Sequence, residues 1–196
     1  MALRFAALMQ ISSNADVVST GIRELEKASP KELRDCDPAW VKHFGQGERL
    51  ARWMCYDRSR AYPDQFVPMD HAPKVPSPDD HLITPEGFDL VFSSDSVCVR
   101  HLMLFVDFIF DLDDQAYMLP ACYSLARMFN AQAGVILGDE SPILEAFFEG
   151  ADYEPALRAG TGKYSEVATI PDLYVEYADG SWYSFGYWRF WPPRES

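Results

Sequence analysis

The sequence predicts an α+β fold: a mostly antiparallel sheet with a C-terminal hairpin, packed against several helices. Three observations carry this. An alternating apolar stretch opens the chain (Leu3, Phe5, Ala7, Met9, Ile11), and alternation is the period of a strand. Capped stretches with apolar residues every three or four positions recur as far as Gly150, the spacing of amphipathic helices. Near the C-terminus, Asp179-Gly180 sits between the aromatic runs Leu173–Tyr177 and Ser181–Phe185, which is a tight-hairpin signal. Helical patterns come early and hairpins late, hence α+β.

After the opening strand, Ser12, Ser13 and Asn14 offer N-caps to a helix with Val18, Ile22 and Leu25 inward and Glu24 and Glu26 outward, stopped at Ser29-Pro30. Asp37-Pro38 starts a second helix carrying Trp40, Val41 and Phe44 and ending at Gly45. A third helix is expected from about Gly47 to Tyr56, with Leu50, Trp53 and Met54 inward. Prolines then crowd the chain from about 63 to 86 and forbid helix or interior strand. That stretch is a linker between lobes or a surface loop, and its Phe66, Val67, Met69 and Val75 favour a loop packed on the body.

Phe88–Phe92 reads as a strand and Ser93–Ser96 as a turn. Val97–Phe110, apolar at consecutive positions, reads as one long strand covered on both faces. Pro120 opens a helix with Cys122, Leu125, Ala126 and Phe129. Val135–Leu137 forms a short buried strand between Gly134 and Gly138. Ser141-Pro142 starts a helix with Ile143, Leu144, Phe147 and Phe148, closed by Gly150. A last aromatic strand, Tyr187–Trp191, stops at Pro192-Pro193. A chain of 196 residues is expected to form a single α+β domain over 1–196.

Hydrophobic content of 48% and aromatic content of 14% are ample for a core. The N-terminal apolar run is short and broken by Arg4 and Gln10, unlike a leader. The longest apolar run, Leu102–Phe110, is interrupted by Asp107 and falls well short of the roughly 20 residues of a membrane span. A soluble, cytoplasmic protein with no membrane partner is expected. Cys36, Cys55, Cys98 and Cys122 are far apart and read as reduced thiols.

Charge is the strongest lead to function. The net charge is −13. Residues 1–98 carry 11 basic and 15 acidic side chains, and residues 99–196 carry 6 and 15. Such a field repels nucleic acid and anionic lipid and speeds association with basic protein surfaces. The expected partner is therefore a protein with a basic surface, and nucleic acid is excluded.

Phe108-Ile109-Phe110-Asp111-Leu112-Asp113 is a hydrophobic run ending in D-x-D, and Ile136-Leu137-Gly138-Asp139 is a second acid at a strand end. The first resembles the opening motif of haloacid-dehalogenase-type phosphatases, the second their late metal-binding acid. The resemblance implies a magnesium-dependent phosphohydrolase, with Asp111 as nucleophile and Asp113 as general acid. The chain departs from the family at Gln115, where Thr or Val belongs, and has no Lys between Asp114 and Asp139 to neutralise phosphoryl oxygens.

Other motifs read as structure. Met69-Asp70-His71 and Pro78-Asp79-Asp80-His81 have no compact ligand spacing and read as polar loop; His43 and His101 read as structural. Gly160-Thr161-Gly162-Lys163 fails as a phosphate loop, with Leu157 in place of its first glycine and Tyr164 in place of the magnesium-binding hydroxyl. No catalytic residue, cofactor or metal is expected.

The C-terminal strands leave aromatics outward, Tyr183 and Trp188 among them, and exposed Tyr and Trp are common interface anchors. Asp111, Asp113, Asp114, Asp139 and Glu140 fall at predicted strand ends, with Asp152 and Glu154 further out. In size, acidity, aromatic content and α+β class the chain resembles the immunity proteins of bacterial polymorphic-toxin and contact-delivery systems. That resemblance implies a non-catalytic inhibitor whose acids face the basic active site of a cognate toxin. A third possibility, an accessory structural protein, would give the acidity no special meaning.

Overall fold

The alternating residues of the N-terminus become the middle of the sheet. In a computed structural model, which describes residues 3–12, 14–28, 51–54, 88–161 and 164–193, the elements run β1 (Arg4–Gln10), α1 (Ala15–Ala28), β2 (Ala51–Met54), β3 (Phe88–Phe92), β4 (Ser96–Leu104), α2 (Phe105–Phe110), α3 (Leu112–Met128), β5 (Ala133–Gly138), α4 (Pro142–Phe148), α5 (Tyr153–Ala159), β6 (Ser165–Glu166), β7 (Tyr174–Glu176), β8 (Trp182–Ser184) and β9 (Gly186–Trp191). One sheet has the order β2-β3-β4-β1-β5-β9-β6, and β7-β8 form a separate ribbon. Neighbours are antiparallel except β6 and β9.

Every residue of β1 from Phe5 to Met9 is buried. Phe5, Ala7 and Met9 share one core with Val18 of α1, Phe108 and Ile109 of α2, and Met118 of α3. Ala6 and Leu8 share a second core with Ile143, Leu144 and Phe147 of α4 and Tyr153 of α5. Strand alternation thus divides one sequence between two faces, each covered by helices.

The fold class, the C-terminal hairpin and most strands agree with expectation. Four local readings do not. The run Val97–Phe110 is not one strand: β4 stops at Leu104, and Phe105–Phe110 is helix. Phe105, Phe108 and Ile109 recur at helical spacing and are buried, while Asp107 and Phe110 face solvent. A run that is apolar at almost every position hides that period. Asp111 therefore follows a helix, and the strand-borne D-x-D of the phosphatase reading is not present. Second, Pro120 does not open a helix but lies inside α3, which starts eight residues earlier at Leu112. Pro120 and Ala116, whose carbonyl loses its partner, both lie on the exposed side.

Third, Ala51–Met54 is an edge strand rather than helix, with Ala51 opposite Phe92 and Met54 opposite Asp89. Ladder pairing overrides the weak local period. Fourth, helices do not simply precede strands: α2–α5 lie between β4 and β6. The helix expected at 37–45, the proline-rich stretch, Cys36, Cys55, His43, His71 and His81 lie outside the described residues. His101 is buried, and its Nδ1 accepts the Met103 N–H at 3.1 Å.

The β3–β4 turn is tied to α5. Asp95 accepts the Tyr153 N–H at 3.0 Å, and Asp152 accepts the Ser94 hydroxyl at 2.6 Å. Tyr153 itself is wholly buried, and its hydroxyl has no partner among the described residues. An unsatisfied buried hydroxyl costs about 1–3 kcal/mol. Tyr153→Phe is therefore expected to leave the unfolding free energy unchanged or raise it by up to about 1 kcal/mol in urea titration. A loss larger than that would mean the hydroxyl is bonded.

Candidate protein-binding face

The expected site acids divide between the two ends of the sheet. β4 and β5 both run antiparallel to β1, so Leu104 and Gly138 lie at the same end, beside Arg4 and Phe5. Asp111, Asp113 and Asp114, just past α2, belong to that end, as do Asp139 and Glu140, just past β5. Asp152 is held by Ser94 at the opposite end, with Glu154 in the first turn of α5 beside it.

At the first end, local chemistry fixes the acids. Asp111 is extended (φ −103°, ψ 117°) and stops α2. Its Oδ1 then caps α3 by accepting the Asp113 N–H at 2.8 Å and the Asp114 N–H at 3.4 Å, as an N-cap acid does. Gln115 donates from Nε2 to the Ile109 carbonyl at 2.9 Å, closing the end of α2. That contact gives the residue that departs from the phosphatase pattern a structural role. Asp139 is half-buried and accepts the Arg4 N–H at 2.8 Å, while its own N–H donates to the Arg4 carbonyl at 3.0 Å. It pins two strands together. Glu140 is exposed.

Partial burial, then the charges of Asp111, Asp107 and Asp113, raise the Asp114 carboxyl above its ordinary 3.8. A raised folded value means that ionisation is disfavoured in the fold. The contribution to stability is fully present below 3.8 and is lost as pH rises through the folded value. Asp114→Asn is therefore expected to raise the thermal midpoint at pH 7 and to give no gain at pH 3. A lower midpoint at pH 7 would mean that attraction to the start of α3 outweighs the neighbouring acids.

The hairpin packs at this same end. Phe110 meets Trp182 with ring centroids 5.0 Å apart and Tyr174 at 6.2 Å, and Tyr174 meets Phe105 at 5.8 Å. The turn has the expected chemistry. Tyr177 N–H donates to the Ser181 carbonyl at 2.9 Å, Gly180 has φ +78°, and Asp179 accepts both the N–H and the hydroxyl of Ser181. A left-handed glycine of this kind closes a three-residue hairpin loop. Strand alternation turns Tyr174 and Ser184 to the body and Val175 and Tyr183 outward.

Nine large apolar side chains are exposed among the described residues, and seven lie on this assembly. Phe110 (51%) and Leu112 (77%) flank Asp111; the hairpin supplies Val175, Tyr177, Trp182, Tyr183 (55%) and Phe185. Contiguous exposed apolar surface with polar surroundings marks interaction sites. Trp188, expected as an outward anchor, is half-buried and packed on the larger core. Asp107, Phe110, Leu112 and Trp182 are exposed here without having been expected at the site. The signal was the helical spacing of Phe105, Phe108 and Ile109, which turns positions 107 and 110 outward.

Among the described residues no group of three or more His, Cys, Asp or Glu is placed to hold a metal ion, and no helix is long and apolar enough to cross a membrane. Comparison of the chain with protein-family models, with curated proteins and with solved structures returns no match.

Proposed function

We propose that this chain is a non-catalytic, protein-binding inhibitor, an immunity protein that occludes the basic active site of a toxic effector. The observation that carries the reading is the coincidence of exposed apolar side chains with carboxylates at one end of the sheet: Phe110 and Leu112, with Trp182 and Tyr174 of the hairpin packed on Phe110, in the same segment as Asp107, Asp111, Asp113 and Asp114. Apolar anchors supply desolvated contact, and the acids supply attraction and orientation. The carboxylates of Asp111 and Asp139 are engaged in capping α3 and joining β1 to β5, so at these two positions the chain spends its acids on structure and surface charge.

Inhibition is the test. The protein encoded beside this chain's gene is purified, and its activity is followed as the chain is added. The expected result is loss of activity complete at one equivalent. The association rate should fall steeply with salt and drop about tenfold in Asp111→Asn/Asp113→Asn, because steering is electrostatic. Activity that persists with excess chain, or turnover of a substrate by the chain itself, refutes the proposal.

A further inference from the structure

The geometry points to an arginine anchor: the exposed rings of Phe110 and Trp182, backed by Tyr174 and beside the carboxylate of Asp107, hold a guanidinium from a basic segment of the protein partner. The inference rests on the inhibitor reading and names what its binding face recognises. Phe110, Tyr174 and Trp182 meet pairwise at 5.0, 6.2 and 6.3 Å with interplanar angles of 69°, 67° and 50°. Edge-to-face packing covers one face of a ring and leaves the other free, and Phe110 and Trp182 are both exposed. Asp107 lies one turn before Phe110, and Asp111 follows it directly. Burial, then the charges of Tyr164, Asp107 and Asp139, push the Tyr174 phenol up to about 12, so the fields of both acids reach it.

The two segments that build this surface carry no cation of their own. No Lys or Arg occurs between Arg100 and Arg127, or between Lys163 and Arg189, and these two segments contain Asp107, Asp111, Asp113, Asp114, Glu166, Asp172, Glu176 and Asp179. A cation on this surface therefore comes from outside the two segments that build it. Guanidinium fits better than ammonium. It is planar and weakly hydrated, so it stacks on a ring while its N–H fork reaches a carboxylate.

The test titrates nona-arginine and nona-lysine peptides into the full chain by calorimetry at low salt. The unaltered chain is expected to favour the arginine peptide by about fivefold, the size of one exposed cation–π contact. Trp182→Leu and Phe110→Leu should each bring the two affinities towards parity. Glu149→Gln, on the helix layer of the opposite sheet face, should leave the preference intact. Far-UV circular dichroism checks that each variant folds, and either ring variant alone decides. Equal affinity for the two peptides in the unaltered chain, or a preference that survives in the folded ring variants, overturns the anchor and leaves only diffuse attraction. The anchor and the inhibitor reading fail separately: arginine preference without inhibition removes the inhibitor, and inhibition without arginine preference removes the anchor.

Discussion

Phe108→Ala is expected to lower the unfolding free energy by about 3–5 kcal/mol, the usual cost of removing a wholly buried phenylalanine. Phe108 has no exposed surface and stands where α2 meets the sheet. Its ring meets Phe5 edge-on at 4.8 Å and lies parallel to Phe105 at 6.2 Å. Alanine there loses the transfer free energy of the ring and both aromatic contacts, and leaves a cavity between α2 and the sheet. For a domain whose total stability is typically 5–15 kcal/mol, this is a large fraction. Urea unfolding followed by circular dichroism measures it. A loss below about 1 kcal/mol would mean that the site collapses around the smaller side chain or that α2 does not pack as described.

Tyr183→Ala is expected to weaken the complex by tenfold to a hundredfold while leaving the thermal midpoint of the free protein within a degree or two, the pattern of an interface anchor. Tyr183 is more than half exposed, and its ring touches Tyr177 at 5.1 Å. It contributes little to the fold and presents a rigid, amphipathic surface to solvent. Loss of affinity should appear mainly as faster dissociation, in contrast to the acid variants, which act on association. A variant that binds as well as the unaltered chain would move the interface off the outer face of the hairpin.

Where the local code had one solution, the sequence was readable. Asp179-Gly180 between aromatic runs could form little but a turn, and Ser141-Pro142 caps α4 as its residue types require: the Ser141 hydroxyl accepts the Leu144 N–H. The opening alternation identified β1, although only one face was apparent because Ala6 and Leu8 announce a second core weakly. The failures share a cause. Between Leu102 and Phe110 almost every side chain is apolar, so neither period stands out, and tertiary contacts decide where strand becomes helix. The Phe105 N–H still bonds the Leu3 carbonyl at 2.9 Å, so the pairing with the N-terminal strand runs into the first residue of α2. The candidate face was half legible. Asp111, Asp113, Asp114 and the hairpin's Tyr183 were expected there, whereas Asp107 and Phe110 were hidden in a run taken for a covered strand.

The carboxylates of Asp107, Asp111, Asp113 and Asp114, gathered within eight residues, have a consequence for the free protein. They repel one another, a local frustration that a bound cation would relieve. Added sodium chloride should therefore act in opposite directions on the two equilibria, steadying the unbound chain by screening its self-repulsion while loosening its grip on a basic partner.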